Sequence, residues 1–245
     1  GDAIEDCDGI CNGDNLPDNF GICNGDNTIQ GALNFYGEGA SLTVPSGTYT
    51  ESIIIDNNNV SLSCGSDVII DVRGLPSGIT VAGNDISISG CEIIGDESTV
   101  YGIVVTPPSQ NTLIESNTIH GMSLANPSND SPLAYGILAY GSDFSNMPLG
   151  LEIKENEIFG VAGAGISLGA FTSNTLIEGN NIHDLIPVEY LGQPLSVGVQ
   201  AQLANELDII SNEFSNLLVG ANLLFCQGEI YFNEYIDVAS FATIT

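Results

Sequence analysis

The chain has 245 residues, of which 31 are acidic and only two, Arg73 and Lys154, are basic, for a formal net charge of −29. Such a field repels nucleic acid, anionic membranes and polyanionic glycans, and draws in cations. Apolar residues make up 43% of the chain and mean hydropathy is positive at +0.20, which excludes a disordered acidic tail; no apolar run approaches the roughly 18 residues that a membrane-spanning helix needs.

The chain opens at Gly1 without a basic stretch and apolar run, so a secretory leader is expected to have been removed already. Residues 1–27 are polar and hold a short duplication: Asp8-Gly9-Ile10-Cys11-Asn12-Gly13-Asp14-Asn15 returns as Phe20-Gly21-Ile22-Cys23-Asn24-Gly25-Asp26-Asn27. The six cysteines are Cys7, Cys11, Cys23, Cys64, Cys91 and Cys226; an even count in a chain of extracellular character points to disulfides. Cys7 and Cys11 lack the second close pair or nearby histidine that would complete a zinc site. The Asp/Asn-Gly-Cys pattern resembles thrombospondin type-3 modules, and that resemblance implies calcium held at Asp6, Asp8, Asp14 and Asp26. Those modules carry denser Asp-x-Asp spacing than this segment, and the closing Glu of an EF-hand loop is missing. A turn-rich segment stapled by disulfides, with Asn-Gly and Asp-Gly supplying positive φ, is the other reading.

Residues 28–56 follow. Thr28-Ile29-Gln30-Gly31-Ala32-Leu33-Asn34 precedes Leu42-Thr43-Val44-Pro45-Ser46-Gly47-Thr48-Tyr49-Thr50-Glu51-Ser52-Ile53-Ile54-Ile55. The pair resembles the opening of right-handed parallel β-helix proteins of the pectate-lyase-like superfamily. The resemblance implies a short helix capping a solenoid, a first coil at 42–56, and coils continuing to about residue 238. It is specific for fold and nearly silent on function, because that superfamily holds lyases, hydrolases, epimerases, adhesins and phage proteins.

The repeat stands without the family. Asn111-Thr-Leu-Ile-Glu-Ser-Asn117-Thr-Ile119 matches Asn174-Thr-Leu-Ile-Glu-Gly-Asn180-Asn-Ile182 almost residue for residue. Weaker copies carry Asn156, Asn212 and Asn233 at the same place, and an upstream copy carries Cys91 there. A second element, Gly-Ile or Gly-Val at Gly102, Gly136, Gly165 and Gly198, with Gly-Ala at Gly220, falls between copies. Self-similarity on this scale is the mark of a solenoid. The expected fold is therefore all-β: a right-handed parallel β-helix of about eight coils over 28–245, with a short N-terminal cap and a Cys-rich segment at 1–27. Stacked across coils, Asn117, Asn156, Asn180, Asn212 and Asn233 are expected to form an amide ladder rather than a catalytic set. Cys64 and Cys91 fall on consecutive coils and are expected to pair, whereas Cys226 is open to a buried thiol or a bond to the N-terminal segment. Insertions at 122–134, 141–149 and 186–195 mark projecting loops, and Asn59 and Asn129 begin glycosylation sequons.

Chemistry is sparse. Elimination from a uronate needs a base and a cation that neutralises the carboxylate, and Arg73 and Lys154 fall three coils apart. Glycoside hydrolysis needs two flanking carboxylates; Asp67, Asp71, Glu92 and Asp96 on early coils are the nearest set, without the usual signatures around them. His120 and His183 occupy equivalent repeat positions two coils apart, too far to share a metal. The last residues, 232–245, are apolar and strand-prone, and either donate a strand to another subunit or fold back on the last coil. The expected function is a non-catalytic extracellular protein, a subunit of a self-assembling surface layer, fibre or filament, or an adhesin. Self-association would run through the C-terminal strand and N-terminal segment, with a glycan as a candidate ligand and neither nucleic acid nor membrane as partner. The alternative is a calcium-dependent carbohydrate-active enzyme.

Overall fold

A computed structural model describes residue 7 and residues 16–124, 133–190 and 193–244. Each of the first six coils lays down three short parallel strands, and successive coils stack them into three faces. The first coil runs Ser41–Val44 on face 1, Gly47–Tyr49 on face 2 and Ile53–Ile55 on face 3. Face 1 is an eight-stranded parallel sheet that ends at Gly228–Tyr231. The long strands Glu213–Leu224 and Glu234–Ile244 cross from face 2 to face 3 without a break and close those sheets.

The corners explain much of the composition. Between faces 3 and 1 the backbone turns through a positive φ at Asn59, Asp85, Asn111, Gly150, Asn174 and Glu206. Between faces 1 and 2 the same job falls to Gly90, Ser116, Glu155, Gly179, Ser211 and Phe232. Left-handed backbone favours Gly and Asn, so a solenoid that repeats such corners accumulates both.

Directly after the second set of corners comes a column of side chains closed by hydrogen bonds. Asn117 Oδ1 accepts from the Cys91 N–H at 3.0 Å, Asn156 Oδ1 from the Asn117 N–H, Asn180 Oδ1 from Asn156, Asn212 Oδ1 from Asn180, and Asn233 Oδ1 from Asn212. Each Nδ2 also donates back to a carbonyl of the preceding coil, as Asn180 does to Ile153 O at 2.9 Å. All but Asn233 are about 1% exposed. The column continues upward into the Cys64–Cys91 disulfide. A smaller set at the corner into face 1 does similar work: Asn58 Oδ1 accepts from Asn84 N, and Asn84 Oδ1 from Gln110 N.

The interior is stacked isoleucine. Ile93, Ile119, Ile158 and Ile182 lie in one column of face 2 with no exposure, and Phe214 continues it. Opposite them on face 3 runs the glycine column. A Cβ on Gly165 would sit 2.6 Å from Ile182 Cγ2, and one on Gly136 would sit 2.6 Å from Ile158 Cγ2 and from Gly165 O. The glycines are there to let faces 2 and 3 close on each other.

The helix Ile29–Tyr36 covers the first coil. Thr28 caps it, Glu51 accepts from the N–H groups of Ile29 and Gln30, and the Gln30 amide bonds the backbone of Ile54. Phe20 and Ile22, from the segment before the helix, join the core, and Tyr36 Oη donates to Phe20 O. The C-terminal segment folds back on its own subunit, because Glu234–Ile244 pairs in parallel with Glu213–Leu224. That strand is therefore not free for donation.

Several turns are held by carboxylates. Asp96 accepts from the Ser98 and Gly74 N–H groups, Asp143 from the Ser145 hydroxyl and N–H, and Asp26 from the Thr28 hydroxyl and N–H; those hydrogen bonds hold all three below the ordinary carboxylate range.

Two predictions follow from these bonds. Asn180→Ala strips partners from buried N–H and C=O groups on both neighbouring coils and is expected to lower unfolding stability by about 3 kcal/mol, against about 1 kcal/mol for Asn233→Ala at the ladder's half-buried end. Guanidinium titration distinguishes the two. A carboxylate whose folded pKa is depressed adds stability that is full above its unfolded pKa of about 3.9 and fades as pH falls through the lower folded value. The stability lost between about pH 6 and pH 3 should accordingly be smaller for Asp96→Asn than for the unmodified chain.

Candidate functional site

The early-coil carboxylates do not assemble into a reactive pair. Asp71 takes a bidentate bond from Arg73, with Nε–Oδ1 at 2.8 Å and Nη2–Oδ2 at 2.6 Å, and the guanidinium holds the Asp71 carboxyl low. Asp96 serves its turn, Glu92 meets His120 Nε2 at 3.2 Å, and Asp67 is exposed. Lys154 is bonded to Glu152. Both basic side chains are thus already neutralised by neighbours.

His120 and His183 are joined through a third ring: Phe159 stacks on both, with centroids 4.7 and 5.2 Å away. His183 also contacts Asp184 at 2.8 Å and Glu157 at 3.5 Å. The stack occupies equivalent positions on three coils of face 2.

In the Cys-rich segment Cys7 pairs with Cys23, and Cys226 carries a half-buried free thiol beside Leu224 O. Asp6, Asp8, Cys11, Asp14 and Asn129 lie outside the described residues. Asp26 is spent on the start of the helix. Among the described residues no group of three or more His, Cys, Asp or Glu is placed to hold a metal ion. Asn59 is exposed, at a corner into face 1.

The principal concavity lies elsewhere, on the outside of face 1 between the fifth and eighth coils. It is a groove of about 690 Å³ lined by Glu152, Glu206, Asp208, Glu229 and the amides Asn174, Asn205 and Gln227. A hollow of about 300 Å³ at Asn111 and Leu113 extends it, sharing Gly150, Glu152 and Asn174. A more apolar hollow of about 220 Å³ adjoins it through Asn205 and Gln227, lined by Phe144, Met147, Leu203 and Phe225.

The strand register generates the acidic floor. Leu113, Glu152, Leu176, Asp208 and Glu229 are successive partners pointing out of face 1. The left-handed corner at Gly150, Asn174 and Glu206 bends the wall inward beside them. A second corner just ahead forces bulky residues into positive φ: Phe171 at 65°, Leu203 at 52° and Phe225 at 54°. Such residues pay a steric penalty in that region, and clusters of them are found where a surface is shaped for use. Here they shape the rim. Phe144, on the 141–149 loop, stands 69% exposed against Phe171, and Phe225 is 67% exposed. Behind this wall Thr112, Thr172 and Thr175, each no more than 2% exposed, turn inward in the columns of Ile86, Ala204 and Leu207, away from the groove.

The groove residues lie on later coils than the early-coil carboxylates Asp67, Asp71, Glu92 and Asp96, and no motif marks them. Aligning the repeats on Asn117, Asn156, Asn180, Asn212 and Asn233 would have exposed the column, since Glu152, Asp208 and Glu229 share one repeat position.

A family profile described as a right handed beta helix region matches residues 75–235. No curated protein matches the chain in sequence. Among solved structures, it is similar to PfbA, a surface adhesin of Streptococcus pneumoniae, with TM-score 0.57 and 12% identity over 89% of this chain and 75% of that one. It is also similar to an alginate lyase from Paenibacillus sp. str. FPU-7, with TM-score 0.53 and 13% identity over 86% of this chain and 95% of that one. Likeness at such low identity speaks to the fold alone. Among the described residues no helix is long and apolar enough to cross a membrane. The solenoid, its corners and the profile match together place the chain in the right-handed beta helix family.

Proposed function

We propose that the chain is a non-catalytic extracellular β-helix of adhesin type, which holds an extended glycan along the groove of face 1. The observation that carries this reading is a groove with a polar floor and a rim of exposed rings. Sugars present hydroxyls on their edges and C–H groups on their faces, so carboxylates and amides suit the first and aromatic rings the second. Two disulfides in the described chain suit an oxidising compartment. Against catalysis by elimination, the basic side chains Arg73 and Lys154 are each bonded to an acid.

Calorimetry with a panel of oligosaccharides tests the reading. Phe144→Ala and Phe225→Ala should each weaken binding about tenfold, the loss expected for removing one exposed aromatic platform. Release of new reducing or unsaturated ends from the bound glycan, abolished by Asp208→Asn, would instead establish an enzyme.

A second reading concerns self-association. The outer edge of Glu234–Ile244 carries no strand among the described residues, and Phe225, Phe232, Ile236 and Phe241 stand exposed on the last two coils. The helix Ile29–Tyr36 closes the first coil, so edge pairing favours two copies joined tail to tail, a closed contact, over a filament. Sedimentation should then show a dimer that Phe232→Asp with Phe241→Asp returns to monomer; a monomer at all concentrations removes this reading.

A further inference from the structure

We infer that the groove selects a cationic glycan, a 1,4-linked chain of amino sugars with free amines, over neutral or uronate chains. This rests on the groove's being a glycan site, and it names the sugar chemistry.

Four carboxylates, Glu152, Glu206, Asp208 and Glu229, line the groove, and neither basic residue does. Lys154, the nearer cation, projects from the adjacent outward column of face 1, where it stands between Glu115 and Glu178 and is bonded to Glu152. Lys154 therefore offsets Glu152, and the negative charge of the groove rests on Glu206, Asp208 and Glu229. A polyuronate would bring one carboxylate per sugar against this floor. Like charges in a concave, partly desolvated site repel strongly, whereas the same geometry favours ammonium groups.

Spacing agrees with charge. Coils repeat at about 4.8 Å, close to the advance of one pyranose in an extended 1,4-linked chain, so a chain lying along the helix axis would meet about one coil per sugar. Asp208 and Glu229 are direct strand partners on consecutive coils, and Glu152 lies two coils before Asp208. Asp208 accepts a hydrogen bond from the Glu229 N–H at 3.1 Å through one oxygen. The exposed rings of Phe144 and Phe225 argue for sugar rather than a lysine-rich peptide, since a flat C–H face is what an open ring receives best.

The test is calorimetry of the full chain at mildly acidic pH with four probes: glucosamine hexamer, N-acetylglucosamine hexamer, mannuronate hexamer and oligolysine. Glucosamine hexamer should bind at least about tenfold tighter than its acetylated counterpart, and its affinity should fall steeply with added salt. Asp208→Asn with Glu229→Gln should remove about tenfold of the preference for glucosamine hexamer over the acetylated hexamer and flatten its salt dependence, since the amides still bond sugar hydroxyls but carry no charge. Both positions are at the surface, and an unaltered thermal unfolding curve checks that the variant is folded. Equal binding of the two hexamers, or tight binding of mannuronate, overturns the amine selectivity while leaving a glycan groove standing. Oligolysine binding that matches glucosamine and ignores Phe144→Ala and Phe225→Ala overturns both readings in favour of a basic peptide. Binding of none of the four overturns the amine selectivity, and failure across the wider oligosaccharide panel also ends the glycan reading.

Discussion

The structure depends on how its corners are satisfied. A coil that turns three times in as few as twenty residues, as from Ser41 to its partner Ser61, exposes backbone N–H groups at each turn, and in the middle of a stack no water reaches them. The Asn column supplies what the backbone lacks: each Oδ1 takes the N–H of the residue at the same position one coil earlier, Cys91 first and Asn thereafter, and each Nδ2 returns a bond to a carbonyl of that earlier coil. Because the unit is shared between coils, its stability is that of a one-dimensional array in which every coil relies on its neighbours. Where the array meets its first coils the amide gives way to a covalent bond, Cys64 to Cys91.

The same corners decide where a ligand surface forms. On the early coils the turn into face 1 is short, and Ser61 and Ser87 stand in the outward column that continues as Leu113 and Glu152. From the fifth coil onward the strands lengthen, to Leu149–Lys154 and Thr172–Glu178, and a second left-handed residue enters at Phe171, Leu203 and Phe225. That extra bend places Leu203 and Phe225 on the rim of the groove. Backbone chemistry, rather than any catalytic motif, is what creates the groove.

Much of this was legible in the sequence, and the rest was hidden for a physical reason. The ladder could be read because one side chain type recurs at one repeat position, as Asn180 does after Gly179. The glycine column was visible as a pattern but not as a contact, since the Ile182 methyl that fills the space above Gly165 belongs to another face. The docking of Phe20 and Ile22 on the cap was equally invisible: they sit in a polar segment whose turns conceal two core residues. The groove needed the left-handed corners at Phe171, Leu203 and Phe225, and bulky residues give no sequence signal for positive φ.

Charge gives the arrangement its direction. A chain at −29 that stacks its outward side chains at about 4.8 Å should repel itself along every column. It mostly avoids this by alternation. On face 2 the outward column reads Glu92, Thr118, Glu157, Asn181, Glu213, and on face 1 Glu152, Leu176, Asp208, so acids recur every second coil. Two coils are about 10 Å, one Debye length at moderate salt, and repulsion over that distance is largely screened. In the next column Lys154 separates Glu115 from Glu178. The alternation fails at Asp208–Glu229 and at Glu213–Glu234, both reaching the last coil. Directly opposed carboxylates cost stability in a sheet, and the first of these pairs lines the groove. A cationic ligand seated there would relieve a repulsion that the fold elsewhere takes care to avoid.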